Sequence, residues 1–225
     1  MNLGERIKNF YEQRNRTFLL RKVPVILRID GKAFHTFTKK YQKPFDLNLI
    51  RIFHDTSKYL LTQVQGAKLA YHQSDEISLL ITDYDSPETE SWFNYNVQKM
   101  TSVAASLATY KFNGELLDND SPPALFDCRV FNIPKEEVVN YFIWRQRDWE
   151  RNSISMYARS FFSHQELHKK NTSDIHEMLH KKGKNWADLD NFLKNGCFFM
   201  KENMEEFAEK LTYEYGTYYL RNYVQ

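Results

Sequence analysis

Apolar and polar positions change period several times along the chain, and each change marks an element. Leu3, Ile7, Phe10 and Tyr11 recur at helical spacing and predict an amphipathic helix near the start. Val23-Pro24-Val25-Ile26-Leu27-Arg28-Ile29 is a largely β-branched run closed by the turn-prone pair Asp30-Gly31, which predicts a strand with Asp30 at its end. Asp46 is placed to cap a second helix whose apolar positions are Leu49, Ile52, Phe53, Leu60, Leu61 and Val64. The runs from Ala67 to His72 and from Ile77 to Ile81 flank the polar tip Gln73-Ser74-Asp75-Glu76 and read as a β-hairpin. Ser86-Pro87-Glu88 has the signature of a helix start, leading through Trp92 and Met100 to about Tyr110. A further strand spans Cys128 to Ile133. Pro134-Lys135-Glu136-Glu137 then opens a long helix through Val139, Phe142 and Trp149 to Met156, followed by shorter helices and the apolar end Cys197-Phe198-Phe199-Met200.

The resulting order, β-α-β-β-α-β plus helices, is that of an α+β chain with the ferredoxin-like split motif found at the core of polymerase palm domains and nucleotide cyclases. Residues 1–134 would form this palm-like catalytic core, and residues 135–225 a helical extension completing the same globular unit. The chemistry-bearing residues fall where a palm needs them: Asp30 ends the first strand, and Asp75 and Glu76 sit at the tip of the hairpin. If those strands are neighbours the three acids converge, and clustered acids call for a cation. Magnesium prefers a few carboxylates plus substrate phosphates, and two such ions can clamp the attacking and leaving oxygens of an in-line displacement.

Composition narrows the class. With 225 residues, 42% hydrophobic, the chain can bury one substantial core. The first residues lack the apolar centre of a signal peptide and no apolar run approaches membrane-spanning length, so a cytoplasmic protein is expected. Cys128 and Cys197 lie far apart and predict two free thiols. The net charge of +2 is uninformative, but residues 140–185 hold nine Lys and Arg against five acids, and four of the seven histidines. That segment can present Arg145, Arg147, Arg151 and Asn152 to RNA phosphates, or form a solvated helix surface. One motif points elsewhere: His176-Glu177-Met178-Leu179-His180 is a literal H-E-x-x-H, the zinc-protease pattern. Trp186 stands where its longer form needs a third histidine, so a third ligand would have to come from Glu202, Glu205 or Glu206. His164 and His168 form a second pair at helical spacing.

Arg28-Ile29-Asp30-Gly31-Lys32-Ala33-Phe34-His35, the following Lys43-Pro44, Tyr71-His72-Gln73-Ser74-Asp75-Glu76 and Phe126-Asp127-Cys128-Arg129-Val130, with Trp144-Arg145-Gln146, resemble in order the tRNA(His) guanylyltransferase family and its Thg1-like relatives, over roughly residues 3 to 200. The resemblance implies nucleotide addition to the 5′ end of tRNA in the 3′-to-5′ direction, with two magnesium ions, ATP and GTP as substrates, and a homotetramer. It matches Asp30 and Asp75 to metal-bridging carboxylates, the Gly31 carbonyl to a backbone metal ligand and Glu76 to the neighbouring acid. Lys43 matches a lysine facing the triphosphate. Lys32, Ala33, Phe34, His35 and Ser74 fall at the nucleotide pocket, and Arg129 joins the RNA-facing set. Eukaryotic guanylyltransferases carry His-Ile-Asn-Asn-Leu-Tyr-Asn after Trp-Arg-Gln, whereas this chain continues Arg147-Asp148-Trp149-Glu150-Arg151-Asn152-Ser153. That departure favours template-dependent 5′-end repair of tRNA over tRNA(His)-specific G addition. A nucleotide cyclase would share the palm and acids, but its Gly-Gly-Asp/Glu-Glu-Phe hairpin is replaced here by Gln73-Ser74-Asp75-Glu76.

Overall fold

The computed structural model describes residues 1–116, 122–202 and 206–210. In chain order the elements are α1 (Leu3–Ile7), β1 (Val25–Gly31), α2 (Phe34–Phe37), α3 (Leu47–Gln63), β2 (Ala67–Gln73), β3 (Glu76–Ile81), α4 (Val97–Glu115), β4 (Phe126–Asn132), α5 (Val138–Ala158), α6 (His164–Leu167), α7 (Thr172–Lys181), α8 (Asn191–Asn195), β5 (Cys197–Glu202) and β6 (Glu206–Lys210). The strands form one antiparallel sheet in the order β4-β1-β3-β2-β5-β6. Its first four strands, with α3 and α4 as crossovers, are the expected split motif.

Both faces of the central strands are covered. Val25, Leu27 and Ile29 point toward α3 and α4, where they join Phe53, Phe112 and Met100 in the larger core, while Ile26 faces α5 and joins Tyr71, Leu80 and Phe142. All six residues of β3 are therefore buried, which explains a run without polar alternation. A third, smaller cluster pins α7 to α5 through Ile154, Ala158, Ile175 and Leu179. Asp46 caps α3 as expected, its carboxylate accepting from the Leu49 N–H at 3.0 Å.

Three expectations need correction. Ser86-Pro87-Glu88 does not start a helix: the Ser86 N–H donates to Thr89 Oγ1 at 3.0 Å in a local turn, and α4 begins after Asn96, whose side chain accepts from the Lys99 N–H. A cap signal is satisfied equally well by an isolated turn. Residues 135–225 are not helical throughout, because Cys197–Glu202 becomes β5 and pairs with β2, Phe199 opposite Ala70. Residues 211–225 of that expected extension lie outside the described residues. The N-terminal apolar stripe forms its helical turns but buries nothing, since Leu3, Ile7, Phe10 and Tyr11 all remain exposed.

Candidate active site

Strand register builds the site. Asp30 lies opposite Glu76 on β3 and opposite Asp127 on β4, and Glu76 lies opposite Gln73 on β2. Residues directly opposite each other share a sheet face, so Asp127, Asp30, Glu76 and Gln73 form one row across four strands. Asp75 joins them from the two-residue turn. Ser74, the first turn residue, takes a φ of 54°, where glycine or asparagine is usual, at a cost on the order of 1 kcal/mol. Two contacts hold the turn: the buried His72 ring, through Nε2, meets the Ser74 carbonyl at 2.9 Å, and the Gly31 N–H donates to the Asp75 carbonyl at 3.0 Å. Gly31 is required sterically, because a Cβ there would lie 2.2 Å from the Phe34 ring. Ala33, with φ at 53°, turns the chain from β1 into α2.

Burial first, and the nearby Asp30 charge second, push the Asp75 carboxyl above its ordinary range, while the Ser74 hydrogen bond only partly counteracts them. A buried carboxyl beside a second carboxylate suits a cation. Among the described residues no group of three or more His, Cys, Asp and Glu side chains could hold a metal. A magnesium ion here would rest on Asp30, Asp75, main-chain oxygen and substrate phosphates, a hard-oxygen set that fits its preference for few protein ligands.

Glu76 is engaged differently. Arg145 Nε and Nη2 donate to its two carboxylate oxygens at 2.7 and 2.8 Å, and both side chains are under a tenth exposed. Arg28 Nε adds a second cation at 3.9 Å, and Ser78 links Glu76 to the Tyr141 hydroxyl, whose pKa burial pushes up to about 12. Burial alone would lower the Arg145 pKa, but the Glu76 hydrogen bonds and charge outweigh it and hold the guanidinium above its ordinary value. This corrects two expectations. Glu76 is a buried brace rather than an open acid, and Arg145 is withdrawn from the RNA-facing set. Arg147, Arg151 and Asn152 remain exposed on α5, Arg151 and Asn152 both contacting Asp148. Arg129, half-exposed, lies 3.9 Å from both Asp30 and Asp127.

Beside Asp75 opens a cavity of about 530 Å³, lined by Phe34, His35, Lys43, Ser74 and Asp75 among others. The Phe34 ring, 4% exposed, borders the cavity and also packs in the core against Phe37, Phe53, Phe112 and Phe126. Lys32 and Ala33 border a separate hollow of about 340 Å³ with Lys39 and Lys40. The sequence reading missed Tyr41, Gln42, Gln73, Trp149 and Arg159 as lining residues. Trp149 on α5 and Arg159 just past its end lie 74 and 84 residues beyond Asp75 in sequence, and only tertiary packing brings them here.

The described residues lend the zinc reading no support. His176, Glu177 and His180 are exposed on α7, His176 packs edge-on against Trp186 at 5.7 Å, and no metal cluster exists among the described residues. The side chains of Glu202, Glu205 and Glu206 lie outside the described residues. Among those residues, no helix is long and apolar enough to cross a membrane.

Comparison with known proteins bears on this geometry. A sequence model of the tRNAHis guanylyltransferase family matches residues 4–134. A tRNA(His) guanylyltransferase of Debaryomyces hansenii is 29% identical over 219 residues, covering 88% of this chain and 80% of that protein. A bacterial tRNA(His) guanylyltransferase-like protein solved in complex with ATP is 44% identical, covers 99% of both chains and superimposes with a TM-score of 0.93; a structure described in the same words but in complex with GTP gives 43% and 0.86, covering 99% of this chain and 98% of that one. The yeast enzyme from Saccharomyces cerevisiae, 22% identical with a TM-score of 0.76 over 91% of this chain and 96% of that one, shares the fold. With the family's sequence model spanning the whole β1–β4 unit that carries Asp30 and Asp75, this chain belongs to the tRNA(His) guanylyltransferase family and is a nucleotidyltransferase.

Proposed function

We propose that this chain repairs the 5′ ends of tRNAs by template-dependent nucleotide addition in the 3′-to-5′ direction. The observation that carries the reading is the meeting of Asp30 and Asp75 beside a cavity bordered by Lys43 and His35: a carboxylate pair suited to magnesium next to a lysine suited to a triphosphate. When bound, two magnesium ions supply activation of the attacking hydroxyl and neutralisation of phosphate charge. Asp30, Asp75 and the Gly31 carbonyl would hold them; Lys43, His35 and Ser74 would line the nucleotide. ATP or GTP as ligand is supported by the similarity to the bacterial proteins solved with each. A 5′-monophosphate end is first joined to AMP, releasing pyrophosphate; the 3′-hydroxyl of the incoming nucleotide then attacks the tRNA 5′ phosphorus and AMP leaves. A 5′-triphosphate end skips the first step and releases pyrophosphate in the second.

Repair is favoured over G addition to tRNA(His) because the segment from Arg147 to Ser153 departs from the eukaryotic pattern, and because identity is higher to the bacterial relative than to the Debaryomyces enzyme. Residues 1–134 then form the catalytic unit, and the remainder completes it through Arg145 and β5. Arg129, Arg147, Arg151 and Asn152 are offered to tRNA phosphates, and Lys32 with Ala33 to the nucleotide. The exposed side chains Leu3, Ile7, Phe10 and Tyr11 suit a subunit interface in a homotetramer, and the protein acts in the cytoplasm.

Incubation with tRNAs lacking their first nucleotide, labelled nucleotides and magnesium tests the reading. Several tRNAs should gain whichever nucleotide pairs with the opposing acceptor-stem base, faster than intact tRNA(His) gains G. Strict preference for intact tRNA(His), with G added whatever the opposing base, would replace repair by tRNA(His) guanylylation.

A further inference from the structure

In Trp144-Arg145-Gln146 only the first residue faces out: Trp144 is 49% exposed, while Arg145 and Gln146 are buried. Its ring is nevertheless fixed. The Arg145 guanidinium lies 4.6 Å from the ring centre and is itself held by both Glu76 oxygens, and the Tyr141 ring meets Trp144 edge-on at 5.9 Å. Tyr141 in turn packs on Phe131 of β4 at 6.0 Å and shares a hydrogen bond with Ser78. Trp144 therefore stands on the β4 side of α5, across the acid row from the 530 Å³ cavity, which takes in His72, Gln73 and Ser74 of the β2–β3 hairpin but not Trp144. On that β4 side, half-exposed Arg129 lies 3.9 Å from Asp30 and Asp127, too long for a hydrogen bond, which leaves its N–H groups open to a phosphate. A rigid, half-exposed indole beside an arginine is the pairing that binds single-stranded nucleic acid: the ring stacks a base and the cation meets the backbone.

We propose that Trp144 stacks an unpaired base of the 3′ extension of tRNA, with Arg129 on a neighbouring phosphate, and so holds the open end of the acceptor stem over Asp30 and Asp75. The inference rests on that acid pair being the reacting centre and on tRNA being the acceptor. Nucleotide and RNA end must meet at the acids. With the cavity taking the nucleotide from the β2 side, the RNA is left the β4 side, where the surface is open and Arg129 suits a phosphate. Bases inside the stem are already paired and stacked, and the base opposite the missing nucleotide pairs with the incoming one. The 3′ extension is the part of the RNA that offers a free base beside the reacting 5′ end, and unpaired ends are where proteins stack RNA bases on aromatic rings. Such stacking tolerates any base, which suits a protein acting on several tRNAs.

The test measures binding of a tRNA lacking its first nucleotide, either complete at its 3′ end or trimmed of its 3′ extension, to the full chain in magnesium buffer, for the unaltered protein, W144A and W144F. W144A should bind the complete RNA about tenfold more weakly, the loss of one base–aromatic stack, and W144F, which keeps a ring, should stay within about threefold of the unaltered protein. Trimmed RNA should bind all three proteins alike, as weakly as W144A binds the complete one, and ATP should bind all three alike. A fluorescent adenine analogue placed in the extension should be quenched by the unaltered protein and not by W144A. Equal affinity of W144A and the unaltered protein for the complete RNA would overturn the proposal. So would a loss that persists on trimmed RNA, which would put the stack on the stem itself, or a changed oligomeric state of W144A in sedimentation, which would mark the ring as a contact between copies of the chain. An unaltered protein that binds ATP but transfers no nucleotide to any tRNA would instead remove the reading on which the proposal stands.

Discussion

Replacing Arg145 by Met tests whether this arginine is a buried brace or an RNA contact. The substitution keeps most of the aliphatic volume and removes both donors to Glu76, now 2.7 and 2.8 Å away. Arg28 Nε, at 3.9 Å, cannot replace a bidentate pair, and Ser78 contributes only a 3.3 Å hydrogen bond. A carboxylate under a tenth exposed is thus left largely uncompensated, a situation that costs about 3–5 kcal/mol. With a urea slope of about 2–3 kcal/mol per molar for a chain of this size, the unfolding midpoint should fall by about 1–2 M. Nucleotide addition should fall with it, because Glu76 directly follows Asp75 and pairs with Asp30. Substituting Glu76→Gln in the same protein removes the orphaned charge and should restore about half of the lost stability. Equilibrium urea unfolding followed by tryptophan fluorescence measures both. A midpoint within about 0.3 M of the parent, accompanied by tRNA binding that is weaker and less salt-dependent, would refute the brace and return Arg145 to the RNA-facing set.

Asp30→Ala and Asp75→Ala should each remove nucleotide addition, by about a thousandfold or more, while the chain stays folded by circular dichroism; near-normal rates in a folded Asp75→Ala protein would end the two-metal reading. Asp75→Ala should also stabilise the metal-free protein above neutral pH, since it removes a carboxyl whose folded pKa is raised and whose ionisation opposes folding. Gly31→Ala should cost stability by about 1–3 kcal/mol and lower addition, because the new methyl drives into the Phe34 ring; an unchanged unfolding midpoint would mean that the β1–α2 junction yields freely. His72 predicts a pH dependence: burial, and then the neighbouring His54, depress its pKa to about 3, so unfolded chains bind its proton more readily. Its stabilising contribution is complete above the unfolded pKa of about 6.5 and is lost progressively toward pH 3, by up to about 5 kcal/mol. Unfolding between pH 7 and pH 4 should show a steeper decline for the parent than for His72→Gln, and parallel curves would count against a neutral buried imidazole.

Short-range chemistry decided much of this protein from sequence. The β-branched run ending in Asp30-Gly31, the Asp46 cap of α3 and the hairpin around Ser74 and Asp75 are each set within a few residues, and each formed as its pattern required. The position of the two acids followed, because a strand end and a hairpin tip in a split β-α-β-β-α-β motif meet at one side of the sheet. What depended on distant parts of the chain was not legible. Ser86-Pro87-Glu88 carried a helix signal that a local turn satisfied first. The Cys197–Met200 run has the same apolar composition whether it forms a helix or a strand, and only the open edge of β2 selected the strand. Arg145 could have faced solvent or the core. Desolvating a guanidinium is unfavourable unless a carboxylate meets it with two hydrogen bonds, and the packing of α5 across the sheet supplied Glu76 from 69 residues upstream. The same packing brought Trp149 to Gln73's cavity, where local sequence carries no trace of either neighbour.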